Sequence, residues 1–320
     1  MSARIALLHL LAPKGTSVSK SPPATRLVGL LSLAFLLFLA APSAAGPQTF
    51  ETPEAAALAF VEACRAGDLD ALRDLVVDDD DDDVFELKDP GTKARLLEFA
   101  EAADRRLTLR EDGEDHRTLI VGYNAYAFPV PVVRADGSWH FDGVEGHQEI
   151  LDRTIGWNEL VAISTLRDFV TAQAEYESKP RGGGEVRQYA RHMLSTPGTQ
   201  DGLYWEAAEG KEQSPFGPFV DSADAKPERG TRYYGYHYRV LTKQGKNAPA
   251  GKHSYEINGH LLAGVAAIAW PADYGRSGIK TFLVNHYGVV YEKDLGDGTA
   301  KYGKKTKAYD PGEGWNVVSD

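Results

Sequence analysis

The chain has a single cysteine, Cys64, in 320 residues. That excludes an internal disulfide and any zinc site built from clustered cysteines. Cys64 follows Phe60 by about one helical turn on an apolar face, so a buried, inert thiol is expected rather than a reactive one. Basic residues are not gathered into a stripe able to neutralise phosphates, which argues against a nucleic-acid partner. Charge is unevenly spread. Residues 1–46 carry four Lys or Arg and no acid, residues 47–150 carry 10 basic against 25 acidic, and residues 151–320 carry 21 of each. The formal net charge of -11 therefore originates in the segment 47–150, where an acidic surface more often serves solubility than chemistry.

Signatures of familiar chemistry are missing too. GKNAPAGKH (residues 245–253) imitates a phosphate loop, but five residues separate its glycines where four are needed, and His253 stands where Ser or Thr would coordinate magnesium. GRSG (residues 275–278) is followed by Ile279 instead of the second glycine of a nucleophile elbow. No His-Glu-x-x-His occurs. The run DDDDDD (residues 78–83), counted as an EF-hand, puts Asp83 and Asp89 where Gly and Glu are required, and reads as a solvated acidic loop. His140 and His147 lack metal-ligand spacing and read as surface or satisfied histidines. No metal and no cofactor are expected.

What is present begins with a leader. Arg4, Lys14, Lys20 and Arg26 precede LVGLLSLAFLLFLA (residues 27–40), and Ser43-Ala44-Ala45 supplies small residues for cleavage after Ala45. The apolar run is shorter than the roughly 20 residues of a membrane span, so a cleaved signal peptide over residues 1–45 is expected, with no stable membrane insertion afterwards. No cysteine follows it to carry a lipid anchor. The location implied is periplasmic or secreted.

The remainder predicts an α+β protein of two domains, 46–150 and 151–320. In the first, Thr52, Pro53 and Gly67 delimit a helix and Asp68 caps a second, shorter one carrying Leu69, Leu72, Leu75 and Val76. Leu119, Val121 and Tyr123 alternate as in a strand, as do Phe128, Val130 and Val132, with Pro129 and Pro131 restricting theirs to a sheet edge. Asp136-Gly137 turns the chain into SWHFD (residues 138–142). The opening helix pair resembles cone-shaped domains of the nuclear-transport-factor-2-like type, whose mouths often hold a ligand or catalytic acid. In the second domain, residues 158–177 have helical period, with Leu160, Ile163, Leu166 and Val170 on one face and Phe169 and Tyr176 beside it. An antiparallel sheet should follow with no further good helix, its strands over 233–241, 253–257, 261–270, 279–285 and 289–292.

STPGTQDGLYW (residues 195–205), SPFGPFV (214–220), YYGYHYRVLTKQG (233–245) and WPADYGRSGIKTFLVNHYGVVYEKDLG (270–296) together resemble the bacterial exported-protein family called domain of unknown function 2950, from about Thr52 to Trp315. That resemblance implies export and an envelope setting, and it implies no known activity or cofactor. Members commonly show an acidic, glycine-containing segment after the long helix that could bind calcium. Here SKPRGGGEVRQYA (residues 178–190) puts Arg181 and three glycines there, which makes such a site doubtful. The long helix with its Ala172-Gln173 and Tyr176, the tyrosine-rich strand and the last hairpin are also similar to the globular heads of type IV pilins and pseudopilins, in which a helix packs on an antiparallel sheet. The leader that would run directly into that helix is absent, because the first domain intervenes.

Candidate binding residues are Asp201, Tyr204, Trp205, Arg239, Trp270 and Tyr274. Trp, Tyr and Arg offer large contact area at low entropic cost, so these could line a groove for a peptide, a glycan or another envelope protein. Alternatively they pack loops over the sheet, and on that reading the 270–296 stretch closes the sheet. Two functions stay open: a non-enzymatic envelope protein that binds or scaffolds through the second domain, and a periplasmic hydrolase or small-ligand binder that uses the acidic cone.

Overall fold

The structure, a computed structural model, describes residues 48–76, 91–181, 184–207, 210–217 and 231–319. The leader and the aspartate run at 78–83 lie outside the described residues. Helices and antiparallel sheets coexist, making the fold α+β. The chain divides into two compact units between Ile150 and Leu151.

In the first unit α1 spans Pro53–Ala66. The Thr52 hydroxyl accepts from the Ala55 amide at 3.2 Å, satisfying one of the free donors of the first turn. Gly67, at φ +63°, ends the helix in the left-handed conformation that glycine adopts without a Cβ penalty. Asp68 then caps α2, Leu69–Val76, by accepting from the Ala71 amide at 3.1 Å. A third helix, α3, covers Thr92–Arg105 and buries Leu96, Phe99, Ala100 and Ala103.

These helices cover a sheet of β1 (Leu107–Glu111), β2 (His116–Val121), β3 (Tyr126–Ala127), β4 (Val132–Ala135) and β5 (Ser138–Phe141). The strand order is β1-β2-β4-β5, with β3 on β2. Leu119 and Val121 face the core, but the chain turns at Gly122, leaving Tyr123 outside the strand and 78% exposed. The expectation of an edge strand at Pro129 and Pro131 needs correction. Both prolines stand before β4, which begins at Val132 and pairs with β2 and β5 on either side; neither amide was available to a ladder, so the strand starts only after them. Asp136 (φ +52°) and Gly137 (φ +82°) close the β4–β5 hairpin. The rings of Phe60, Phe99, Phe128 and Phe141 pack between helices and sheet at centroid separations from 4.7 to 6.4 Å. Each such buried ring contributes about 1.5–3 kcal/mol relative to exposure.

The helix α4 runs over Gly143–Glu177, beginning well before residue 158. The Asp142 carboxylate accepts from the Glu145 amide at 2.8 Å and starts it. Its face toward the second core is rotated from the expected one. Ala162, Thr165, Leu166, Phe169, Ala172, Gln173 and Tyr176 are buried, while Leu160 is 64% exposed. A buried glutamine explains part of the rotation: Gln173 donates to the Ala190 carbonyl at 2.9 Å and accepts from the Ala190 amide at 2.8 Å, so its burial costs no unmet polar group.

Beyond α4, β6 (His192–Leu194) and β7 (Gly202–Tyr204) form a parallel pair. The main sheet contains β8 (Thr231–Tyr233) and β9 (Tyr236–Leu241). Two hairpins follow, β10 (Lys243–Gln244) with β11 (His253–Ser254), and β12 (Glu256–Ile257) with β13 (His260–Leu261). The main sheet then resumes with β14 (Ala266–Pro271), β15 (Lys280–Asn285) and β16 (Tyr291–Asp294), and α5 (Thr299–Lys305) precedes β17 (Asn316–Val317). Its order is β17-β16-β15-β14-β9-β8, antiparallel throughout. Three expected strands are each broken in two: 233–241 at Tyr234-Gly235 and 261–270 at Gly264, where positive φ angles turn the chain, and 253–257 at Tyr255, between β11 and β12. Helix α5 appears where no helix was expected.

The central strand β14 is buried at every position. One sheet face presents Tyr236, Tyr238, Ala267, Ala269, Phe282 and Val284 to the core it shares with α4. The other presents Leu241, Ala266, Ile268, Trp270 and Leu283 to a second core completed by Tyr255, Leu261 and Tyr309. Among the described residues no helix is long and apolar enough to cross a membrane.

Candidate functional site

The six candidate residues fall into separate places. Asp201 ties a loop: its carboxylate accepts from the Thr196 amide at 2.7 Å, the Thr196 hydroxyl at 2.8 Å and the Thr199 hydroxyl at 2.9 Å. Burial pushes this carboxyl up, but the bonds from Thr196 and Thr199 outweigh it and hold it below its ordinary range. Tyr204 and Trp205 continue from the same loop into the core under α4, where the Trp205 Nε1 donates to the Glu212 carbonyl at 3.1 Å.

Arg239 and Trp270 lie on the opposite sheet face. Trp270 pairs in register with His237, and their rings are 5.3 Å apart. The Arg239 guanidinium stands 5.5 Å from the centre of the Trp270 ring. It donates to the carbonyls of Gly303 at 2.6 Å, Lys304 at 2.8 Å and Thr306, so this cation closes the C-terminal end of α5. Tyr274, in the β14–β15 loop, donates to Asp294 at 3.0 Å. Four of the six thus have packing or capping work in view, and no one surface gathers them all.

A different group comes together at the β15–β16 turn. Gly288 (φ +84°) donates to the Asn285 carbonyl at 2.8 Å and the Tyr287 amide to the Asn285 side chain at 3.1 Å, which turns His286 and Tyr287 away from the strand. The His286 ring lies 4.3 Å from Tyr287, 5.8 Å from Tyr255 and 6.2 Å from Tyr189. Tyr189 is placed by its amide, which donates to the Leu261 carbonyl at 3.0 Å. Gly264 admits the imidazole, since a Cβ there would come 2.6 Å from the His286 Cε1. Tyr255 forms the floor, fully buried, its hydroxyl donating to Gln244 at 2.9 Å. Tyr287 is the exposed rim, at 68%.

Burial pushes His286 below its ordinary value, against a hydrogen bond to the Val265 carbonyl that raises it and together with His253, which lowers it. Burial likewise raises Tyr189, and lifts Tyr255 to about 12. At neutral pH this shelf therefore carries little charge. The sequence signal for it is slight: a His-Tyr pair inside a tight turn whose geometry needs neither ring.

In the first unit several surface acids are paired. Asp112 meets Arg110 at 2.6 Å, Asp115 meets Arg134 at 2.5 Å, and Glu145 meets the His116 Nε2 at 3.0 Å. The hydrogen bond from Arg110 is the main reason Asp112 titrates low. Among the described residues no group of three or more His, Cys, Asp or Glu is placed to hold a metal ion.

Comparison with known proteins returns one family. The profile described as Protein of unknown function (DUF2950) matches residues 47–318. Neither the curated proteins nor the solved structures contain a match. Because that profile covers both units from before the Thr52 cap to past β17, the chain belongs to the family of proteins of unknown function DUF2950.

Proposed function

We propose that this is an exported bacterial envelope protein, delivered to the periplasm or beyond by a leader cleaved after Ala45, that acts by binding another envelope component rather than by catalysis. The observation that carries the reading is the shelf of Tyr189, His286 and Tyr287. It combines rigid rings with unspent polar tips on the surface of a rigid sheet turn, the composition that concentrates binding energy. The alternative, a hydrolase or small-ligand carrier in the first unit, draws less support, because phenylalanine rings occupy the space between its helices and sheet and several of its surface acids are paired.

The finer architecture belongs to the same proposal. We read the first unit as a cone of the nuclear-transport-factor-2 type, on the strength of its helix order and antiparallel sheet. The second is read as pilin-like, on the strength of a long helix against one face of an antiparallel sheet. An experimental structure that superposes on neither would end both likenesses.

The functional test is crosslinking in intact cells, with the full chain expressed from its own leader. Wild type should fractionate with the envelope and capture a component that Tyr287→Ala does not. Retention in the cytoplasm, or no captured component, would count against the proposal.

A further inference from the structure

The structure points to a saccharide as the occupant of this shelf: we infer that Tyr189, His286 and Tyr287 bind the neutral sugar rings of a glycan, an inference that rests on the binding function proposed above. A pyranose ring has one face of weakly positive C–H groups and a rim of hydroxyls. The C–H face packs on the negative face of an aromatic ring, and the rim needs donors and acceptors at the ring's edge. The shelf offers both. Tyr287 presents an open ring, and its plane is tilted 39° to His286 at 4.3 Å, so the two make an angled platform instead of one flat stack. Tyr189 continues this platform at 6.2 Å from His286, tilted 36°. Among the described residues, no hydrogen bond occupies the Tyr189 hydroxyl, the Tyr287 hydroxyl or the His286 Nε2, whereas the His286 Nδ1 is held against the Val265 backbone at 3.4 Å. The His286 and Tyr189 tips are thus directed by residues held from behind, by Gly264, Tyr255 and the Leu261 carbonyl, while Tyr287 is placed through its amide on Asn285.

Charge selects among possible occupants. The nearest carboxylate acting on Tyr189 is Glu177, which Arg187 engages at 3.3 Å. The three rings of the shelf carry no cation of their own, and Arg187 is engaged by Glu177, so an anionic polymer gains little from them. A ligand recognised through ring faces and hydroxyls, without charge, is a neutral sugar.

The test titrates the full chain with the soluble hexamer of β-1,4-linked N-acetylglucosamine, with cellohexaose, with polyglutamate and with a polyproline peptide, following heat and intrinsic fluorescence. Binding of a neutral hexasaccharide is expected, little changed by added salt. Tyr287→Ala should weaken it by about tenfold or more, as loss of a central aromatic contact does, with an unaltered circular dichroism spectrum. Tyr189→Phe, which keeps the ring and removes only the hydroxyl, should weaken it less. Failure of both sugars to bind, sugar binding that survives Tyr287→Ala, or preference for polyproline or polyglutamate overturns the inference. The functional proposal falls separately. If crosslinking captures an envelope protein through Tyr287 while no sugar binds, the site stands and its ligand class is wrong.

Discussion

The Arg181 guanidinium closes the end of α4 by donating to the Tyr176 carbonyl while lying 5.3 Å from the centre of the Tyr176 ring. It also donates to the Glu175 carbonyl at 2.8 Å and to the Glu212 carboxylate at 3.0 Å, with its side chain only 3% exposed. A fixed cation therefore satisfies helix-end carbonyls in the segment where the family resemblance would put acidic, calcium-binding residues. Two outcomes are expected. Arg181→Met should lower the stability of the second unit by about 2 kcal/mol, chiefly through lost charge-assisted hydrogen bonds. Calcium should leave that unit's thermal unfolding unchanged, and a calcium-dependent rise in its transition would refute this reading of Arg181.

Acid should loosen the loop that Asp201 ties. Its folded pKa lies below the ordinary value; a depressed carboxyl contributes stability above the unfolded pKa, and that contribution is lost as pH falls through the folded value. The window runs from the ordinary carboxylate range downward. Asp201→Asn should unfold more readily at neutral pH and show a shallower loss of stability toward acid than wild type, measured by urea unfolding across pH. Parallel curves for the two proteins would show that Asp201 is not the titrating tie.

Trp270 should matter to stability and not to recognition. It is buried between His237, Arg239 and Gly303, and a Cβ on Gly303 would come 2.4 Å from its ring. Trp270→Ala should cost about 3–5 kcal/mol and Gly303→Ala about 1–3 kcal/mol by overpacking. In any variant that still folds, hexasaccharide binding should be kept. Lost binding in a folded Gly303→Ala would place Trp270 in the recognition surface after all.

Cys64 should be silent to thiol reagents. It is buried at 1% exposure, and desolvation pushes its thiol up to about 12, so almost no thiolate forms at neutral pH. A disulfide-exchange reagent should label the native protein only as fast as the first unit opens, and at once in denaturant. Rapid native labelling would contradict the burial.

How much of this was legible beforehand follows the range of the interactions. Thr52, Gly67 and Asp68 act on amides and carbonyls within a few positions of themselves, and Asp136-Gly137 closes its hairpin through its own dihedral angles, so local sequence suffices to place them. The first half of α4 was less visible because Gly143, Gly146 and Gly156 interrupt its apolar period; Gly146 is there because any Cβ would strike Val130, within 2.9 Å, a contact from another element. The same limit applies to function. Asp201 and Trp205 read as surface chemistry in one dimension, and only the cores revealed which ring faces are spent on packing.

By itself the sequence determined the α+β composition, the ends of α1 and the start of α2, the tight turns and the family, since each depends on residue type and spacing along the chain. Tertiary structure alone decided which side of the sheet Trp205 and Trp270 occupy, and that Tyr189 should stand beside His286 and Tyr287. Strand pairing sets those neighbours, and pairing is an agreement among distant segments that no single segment encodes.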